Sequence, residues 1–148
     1  MAKVETEISV NAPPEACYRI ARDMERYPDF MPNVDRITVT ESGDDWTITE
    51  WLCRLRGHRV KWTERDDFDD DELTIRFDQV KGDLKEFRGI WTFQPDNGGC
   101  RIRLVVNASL GVPMLSAAID PIVRKATRDN CVSMLEAIAH EAEAGSES

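Results

Sequence analysis

The chain has 148 residues and a mass of 16.9 kDa, the size of one ordinary domain. Hydrophobic residues make up 41% and charged residues 32%, enough apolar material for a core, which excludes disordered, collagenous and low-complexity classes. With 19 basic against 28 acidic residues the net charge is −9; a field of that sign repels phosphate backbones and anionic lipid surfaces, so no nucleic-acid partner is expected.

No stretch approaches the roughly 20 uninterrupted apolar residues of a membrane helix, so no integral membrane segment is expected. The opening MAKVETEISV carries Lys3, Glu5 and Glu7 where a signal peptide needs an apolar run. A cytoplasmic location follows from that reading. Cys17, Cys53, Cys100 and Cys131 lie far apart, with no C-x-x-C pair and no nearby histidine. They read as reduced, mostly buried thiols, and no metal is expected. Nucleotide and zinc motifs are absent as well, so no cofactor is expected. A single domain over 1–144 is predicted, with 145–148 as a frayed tail.

In chain order, Val4, Thr6, Ile8 and Val10 alternate with polar residues, the period of a half-buried strand. Asn11-Ala12-Pro13-Pro14 closes it and opens a short helix, where a proline in the first turn costs nothing. Ala16, Cys17, Ile20 and Met24 follow at helical spacing. In Glu25-Arg26-Tyr27-Pro28-Asp29-Phe30-Met31-Pro32 the two prolines bias Tyr27 and Met31 away from helix, which makes a stiff connector with bulky apolar tips.

From Val34 to about Leu110 strand follows strand, six in all. Turns are read at Ser42-Gly43-Asp44-Asp45, Gly57, Asp69-Asp70-Asp71, Lys81-Gly82-Asp83 and Asp96-Asn97-Gly98-Gly99, the last a strong hairpin signal. Short turns between strands make an antiparallel meander. Trp46, Ile48, Trp51, Cys53 and Leu55 change parity near Glu50, which predicts a bulge or an edge. Beyond Gly111-Val112-Pro113 the period becomes 3.6: Leu115, Ile119, Ile122, Val123, Ala126, Asn130, Met134 and Ile138 form one stripe. A helix from about Asp120 to Glu143 is predicted, roughly 35 Å long at about 1.5 Å per residue. A curved sheet wrapped around that helix buries the stripe.

Period two sends Trp62, Phe77, Phe87 and Trp91 toward the helix, where four rings either fill the space or line a pocket. Glu64 shares the face of Val60, Trp62 and Phe68, so its carboxyl points inward, where desolvation raises its pKa and suits it to donate a proton or anchor a ligand. The alternative is a carboxylate paired with a neighbouring arginine. Asn130 interrupts the apolar stripe opposite, with Thr127 one turn earlier; each is a candidate ligand contact or a satisfied core group. Arg88 is expected to face solvent beside Glu86. His58 and His140 have no nucleophile nearby. The acidic run from Asp66 to Glu72 lacks the glycine of a calcium loop and reads as a solvated hairpin tip.

The order strand, two short helices, six-strand meander and long C-terminal helix is that of the helix-grip fold, an α+β architecture. The segment Glu25–Pro32, with Asn11-Ala12-Pro13-Pro14-Glu15, the Trp62 strand, Gly82-Asp83-Leu84 and Gly89-Ile90-Trp91-Thr92-Phe93, resembles the polyketide cyclase/dehydrase and coenzyme-Q-binding branch of the START-like (SRPBCC) superfamily. That resemblance implies a cavity between sheet and helix for a hydrophobic small-molecule ligand: a lipid, an isoprenoid quinone or a polyketide-like aromatic. Its expected lining is Tyr27, Phe30, Met31, Trp51, Trp62, Glu64, Phe77, Phe87, Trp91, Val123, Thr127 and Asn130. Tyr27, Phe30 and Met31 are expected as a lid or plug, and Gly89 as a gap in the wall. Binding or carriage is the first reading. A polyketide aromatase/cyclase using Glu64 is the alternative, although acids stand at inward positions of Trp62-Thr63-Glu64-Arg65-Asp66 where the aromatic cyclases carry a serine and an arginine. The third reading is a protein-interaction or ribosome-associated regulator.

Overall fold

The computed structural model describes residues 2–55, 57–109 and 116–146. Strand β1 (Ala2–Val10) leads into helix α1 (Pro14–Arg22), a 3-10 turn (Met24–Arg26) and the short helix α2 (Tyr27–Phe30). Six strands follow: β2 (Val34–Ser42), β3 (Trp46–Leu55), β4 (His58–Asp69), β5 (Thr74–Gly82), β6 (Glu86–Asp96) and β7 (Gly99–Ser109). Helix α3 (Ser116–Ser146) ends the described chain. All seven strands form one antiparallel sheet in the order β1-β7-β6-β5-β4-β3-β2. Short helices join its two edges, and α3 lies across its inner face. This is the helix-grip fold, with the strands and helices in the expected sequence.

Local chemistry explains the boundaries. Asn97 and Gly98 both take positive φ, 50° and 84°, the pair of left-handed residues that a two-residue hairpin turn demands. At the acidic tip Asp69 accepts hydrogen bonds from the amides of Asp71 and Glu72, while Asp70 accepts from the Tyr18 hydroxyl of α1 at 2.6 Å. The tip is therefore a turn tied to α1. Among the described residues no group of three or more His, Cys, Asp or Glu side chains could hold a metal ion.

Helix α3 packs chiefly on β1, then on β7 and α1, and touches β3 only lightly. Its inward face carries Thr127, Cys131, Met134, Leu135, Ile138, Ala139 and Ala142, all buried. Seated at the β1–β7 side, the helix leaves space over β3 to β6, and that space becomes the site. All four cysteines are buried and free. No helix among the described residues is long and apolar enough to cross a membrane.

Several expectations need correction. Tyr27 is helical (φ −50°, ψ −42°) despite the following proline, whereas Met31 is extended. Tyr27 donates its hydroxyl to the Ala21 carbonyl, a bond that holds the residue against its local preference. The parity change in β3 is not a bulge, since pairing with β4 runs unbroken from Trp46↔Asp67 to Leu55↔His58. Instead Thr49 faces in with Trp51 and Cys53, and Trp46 lies outside with the Arg65 guanidinium 4.8 Å from its ring. Bulges occur in β2 and between β4 and β5, where Val80 is the extra residue. Helix α3 begins at Ser116 rather than near Asp120, keeps Pro121 inside, and runs on through Gly145 and Ser146. Ile122, placed on the buried stripe by periodicity, is 59% exposed. Leu115, residues 111–113, Glu147 and Ser148 lie outside the described residues, as does the side chain of Ile119.

Candidate functional site

Strands β3 to β6 present Trp51, Trp62, Glu64, Phe77, Phe87 and Trp91 inward, and α3 answers with Thr127, Asn130, Cys131 and Met134. Together with Val106 these side chains enclose an inner chamber of about 40 Å³. An outer chamber of about 220 Å³ adjoins it, lined by His58, Val60, Leu84, Ile122, Val123 and Ala126. Trp62, Phe87, Thr127 and Asn130 belong to both linings and mark the neck between them. The mouth lies where β5 parts from β6: their pairing stops at Asp78↔Arg88, so the Leu84 loop and the exposed Ile122 flank an opening. Larger hollows of about 300 and 480 Å³ exist on the outer face of the sheet, but α3 contributes to neither, and their rims are charged. The space under α3 is where aromatic rings and buried polar groups converge.

Its aromatic wall is continuous. Trp51 stacks on Trp62 with centroids 5.3 Å apart and planes 15° from parallel; Phe87 lies 5.0 Å from Trp62 and 5.4 Å from Phe77. Gly89 leaves no gap, because a Cβ there would stand 2.6 Å from the Phe77 ring. The ring already covers the glycine.

At the inner end of the wall lie two carboxyls. Glu64 and Asp66 sit two residues apart on β4, so both point inward, and they are 3% and 0% exposed. The indole N–H of Trp62 donates to Glu64 Oε1 at 2.7 Å. The hydroxyls of Thr49 and Thr47 donate to Asp66 Oδ2 at 2.6 and 3.1 Å. The Trp51 indole N–H donates to Thr49 Oγ1 at 2.8 Å. Asp66 Oδ1 has no hydrogen-bond partner among the described residues. Burial, the Asp66 charge and the hydrogen bond to Asp66 hold the Glu64 pKa well above the usual carboxylate range, opposed by the Trp62 N–H. Burial also raises Asp66, while hydrogen bonds from Glu64, Thr49 and Thr47 pull it back. Both carboxyls are thus shifted toward their protonated forms, Glu64 the more strongly.

Of the residues expected from sequence, Trp51, Trp62, Glu64, Phe77, Phe87, Trp91, Thr127 and Asn130 line the inner chamber and Val123 the outer. Tyr27, Phe30 and Met31 belong to neither lining. Tyr27 is fully buried behind Trp51, its ring centroid 5.7 Å away, with Phe30 against its other side; this trio supports the wall as core and is not a lid. His58 stands at the mouth. Arg88 faces solvent and pairs with Glu86 at 3.0 Å. Asp66, read as part of the exposed tip, and Thr47 and Thr49 were missed, as were Cys131 and Val106. Counting back by twos from Cys53 and Trp51 would have found both threonines, and counting on by two from Glu64 would have found Asp66.

The chain is 29% identical to TTHA0849 of Thermus thermophilus, whose crystal structure superposes with a TM-score of 0.91 over 97% of this chain and 99% of that one. A Streptomyces sp. R1128 protein described as the Zhui aromatase/cyclase matches at 18% identity with a TM-score of 0.84, over 95% of this chain and 93% of the other. By sequence, the ribosome association toxin RatA of Vibrio cholerae is 23% identical over 128 residues, covering 86% of this chain and 88% of its own length. Residues 10–134 match the family model for polyketide cyclase/dehydrase and lipid transport, and with most of the chain so matched, this protein belongs to that family.

Proposed function

We propose that the protein binds a compact, ring-bearing apolar molecule in the space under α3. The ring body rests in the outer chamber against Trp62, Phe87 and Val123, and a polar end enters the neck beside Thr127 and Asn130, toward Glu64 in the inner chamber. One observation carries this reading: an apolar, ring-lined chamber opens to solvent at one end and narrows at the other to a smaller one that holds the buried Glu64. Its volume falls below the roughly 300–1,000 Å³ usual for drug-sized ligands, which favours a small ligand or one whose tail extends past Ile122. A net charge of −9 supports this reading over a ribosomal partner. Family membership agrees with it.

The test is mass spectrometry of an organic extract of freshly purified protein, followed by titration of the apo-protein with whatever is found. One enriched apolar compound, and a saturable change in tryptophan fluorescence on adding it back, are expected. Saturable binding without any fluorescence change would place the ligand elsewhere.

The Glu64–Asp66 pair favours a second reading, acid/base turnover of the bound ligand as an aromatase/cyclase performs it. A buried carboxyl whose pKa is held well above the usual range, as that of Glu64 is, can hold a proton and return it. Recovery of the ligand unchanged after incubation supports the carrier. Loss of water from it in the wild type but not in Glu64→Gln supports the enzyme.

A further inference from the structure

A buried acceptor without a donor is costly, and a ligand that supplies the donor gains what the apo-protein lacks. The polar groups around the two chambers are unevenly matched in this respect. Of the three indoles in the inner lining, two spend their N–H inside the wall, Trp62 on Glu64 and Trp51 on Thr49; the third, Trp91, is not part of the neck. The acceptor on α3 is not spent. The Asn130 amide nitrogen lies 3.6 Å from the Met134 sulfur; a thioether can only accept, so the NH₂ faces it and the carbonyl oxygen turns away. That oxygen, Asn130 Oδ1, is buried and unpartnered among the described residues. Glu64 accepts the Trp62 N–H on Oε1 and lies in the inner lining, beyond the neck. Thr127 can act in either sense and does not alter the balance. The neck thus presents one unpartnered acceptor, Asn130 Oδ1.

Charge narrows the choice. Among the described residues lining the chambers there is no lysine or arginine, and two carboxyls, Glu64 and Asp66, are buried in the wall. An anion there would lose its hydration with no lysine or arginine to pair it. Ring faces of Trp62 and Phe87 at the neck suit a flat aromatic body.

We infer that the ligand is a neutral phenol: an aromatic whose hydroxyl donates to Asn130 Oδ1 at the neck, in a site that disfavours carboxylates and ketones on the same ring system. This rests on the cavity-binding reading and makes it specific. Asn130 sets the polar end, and the aromatic wall sets the shape.

The test is calorimetric titration of the full chain with four probes on one two-ring skeleton: naphthalene, 2-naphthol, 2-naphthoate and 2-acetylnaphthalene. The naphthol is expected to bind about tenfold tighter than each of the others. Asn130→Leu, close in size, is expected to erase that margin while still binding naphthalene. Naphthoate or ketone binding as tightly as naphthol would overturn the inference, and so would an undiminished margin in a folded Asn130→Leu. Because the ranking in the wild type needs no variant, misfolding of Asn130→Leu does not remove the test. Equal binding of all four overturns the hydroxyl preference alone and leaves cavity binding intact; no binding of any probe overturns both.

Discussion

Burial raises the pKa of Asp66 while the two threonine hydroxyls that donate to it pull the other way, and burial together with the Asp66 charge raises that of Glu64 well above the usual carboxylate range. Both groups titrate higher in the folded chain than in the unfolded one. Between the unfolded carboxylate range, about pH 4, and the raised value of Glu64, the folded state binds more protons. The pair's stabilisation is therefore complete below that range and is lost as pH rises through the folded pKa. As pH rises above about 4, the denaturant midpoint of the wild type is expected to fall more steeply than that of Glu64→Gln, which has no carboxyl proton to release at that position. Identical slopes would show that Glu64 is already ionised in the folded protein. From sequence, Glu64 was legible because Val60, Trp62 and Phe68 frame it on one face. Its partners were not, for a pattern that counts polar residues as outward assigns Thr47, Thr49 and Asp66 to solvent. Only the three-way hydrogen bonding that satisfies them makes their burial tolerable.

Strands and helices were legible where one periodicity ran without interruption. The six-strand meander, its Asn97-Gly98 hairpin and the long terminal helix all followed from spacing alone. Elements held by tertiary contacts were not. Tyr27 becomes helical through its bond to Ala21, and the extra residue Val80 in β5 is marked by neighbours no local pattern shows. At Gly82 any Cβ would come within 2.5 Å of the Trp62 Cβ, so this glycine lets β5 approach the tryptophan strand beside that bulge. Pro121 is the other case. It sits inside α3, where its missing N–H leaves one carbonyl of the preceding turn without its helical bond. Pro121→Ala restores that bond and is expected to stabilise the protein by about 1–3 kcal/mol. A raised urea midpoint with unchanged slope would verify it; a lowered midpoint would mean the ring is needed where it stands.

On the scale of the molecule, the ion pairs lie on the surface: Arg54 with Asp35, Arg65 with Asp67, Arg101 with Asp96 and Arg103 with Glu5. Each is worth at most about 1 kcal/mol. They sit within an excess of nine negative charges, so screening the general repulsion outweighs screening the pairs. Raising ionic strength from about 10 to about 150 mM, which brings the Debye length from about 30 Å to about 8 Å, is expected to raise Tm, as differential scanning calorimetry would read directly. A falling Tm would mean that the pairs outweigh the excess. The stacked Trp51 and Trp62 have a separate consequence. Two indoles this close couple their excited states, and each sends its N–H into the hydrogen-bond chain that ends on the carboxyls. The wall of the cavity is thus its own chromophore, and near-ultraviolet circular dichroism becomes a label-free gauge of whether proton or guest has disturbed that chain.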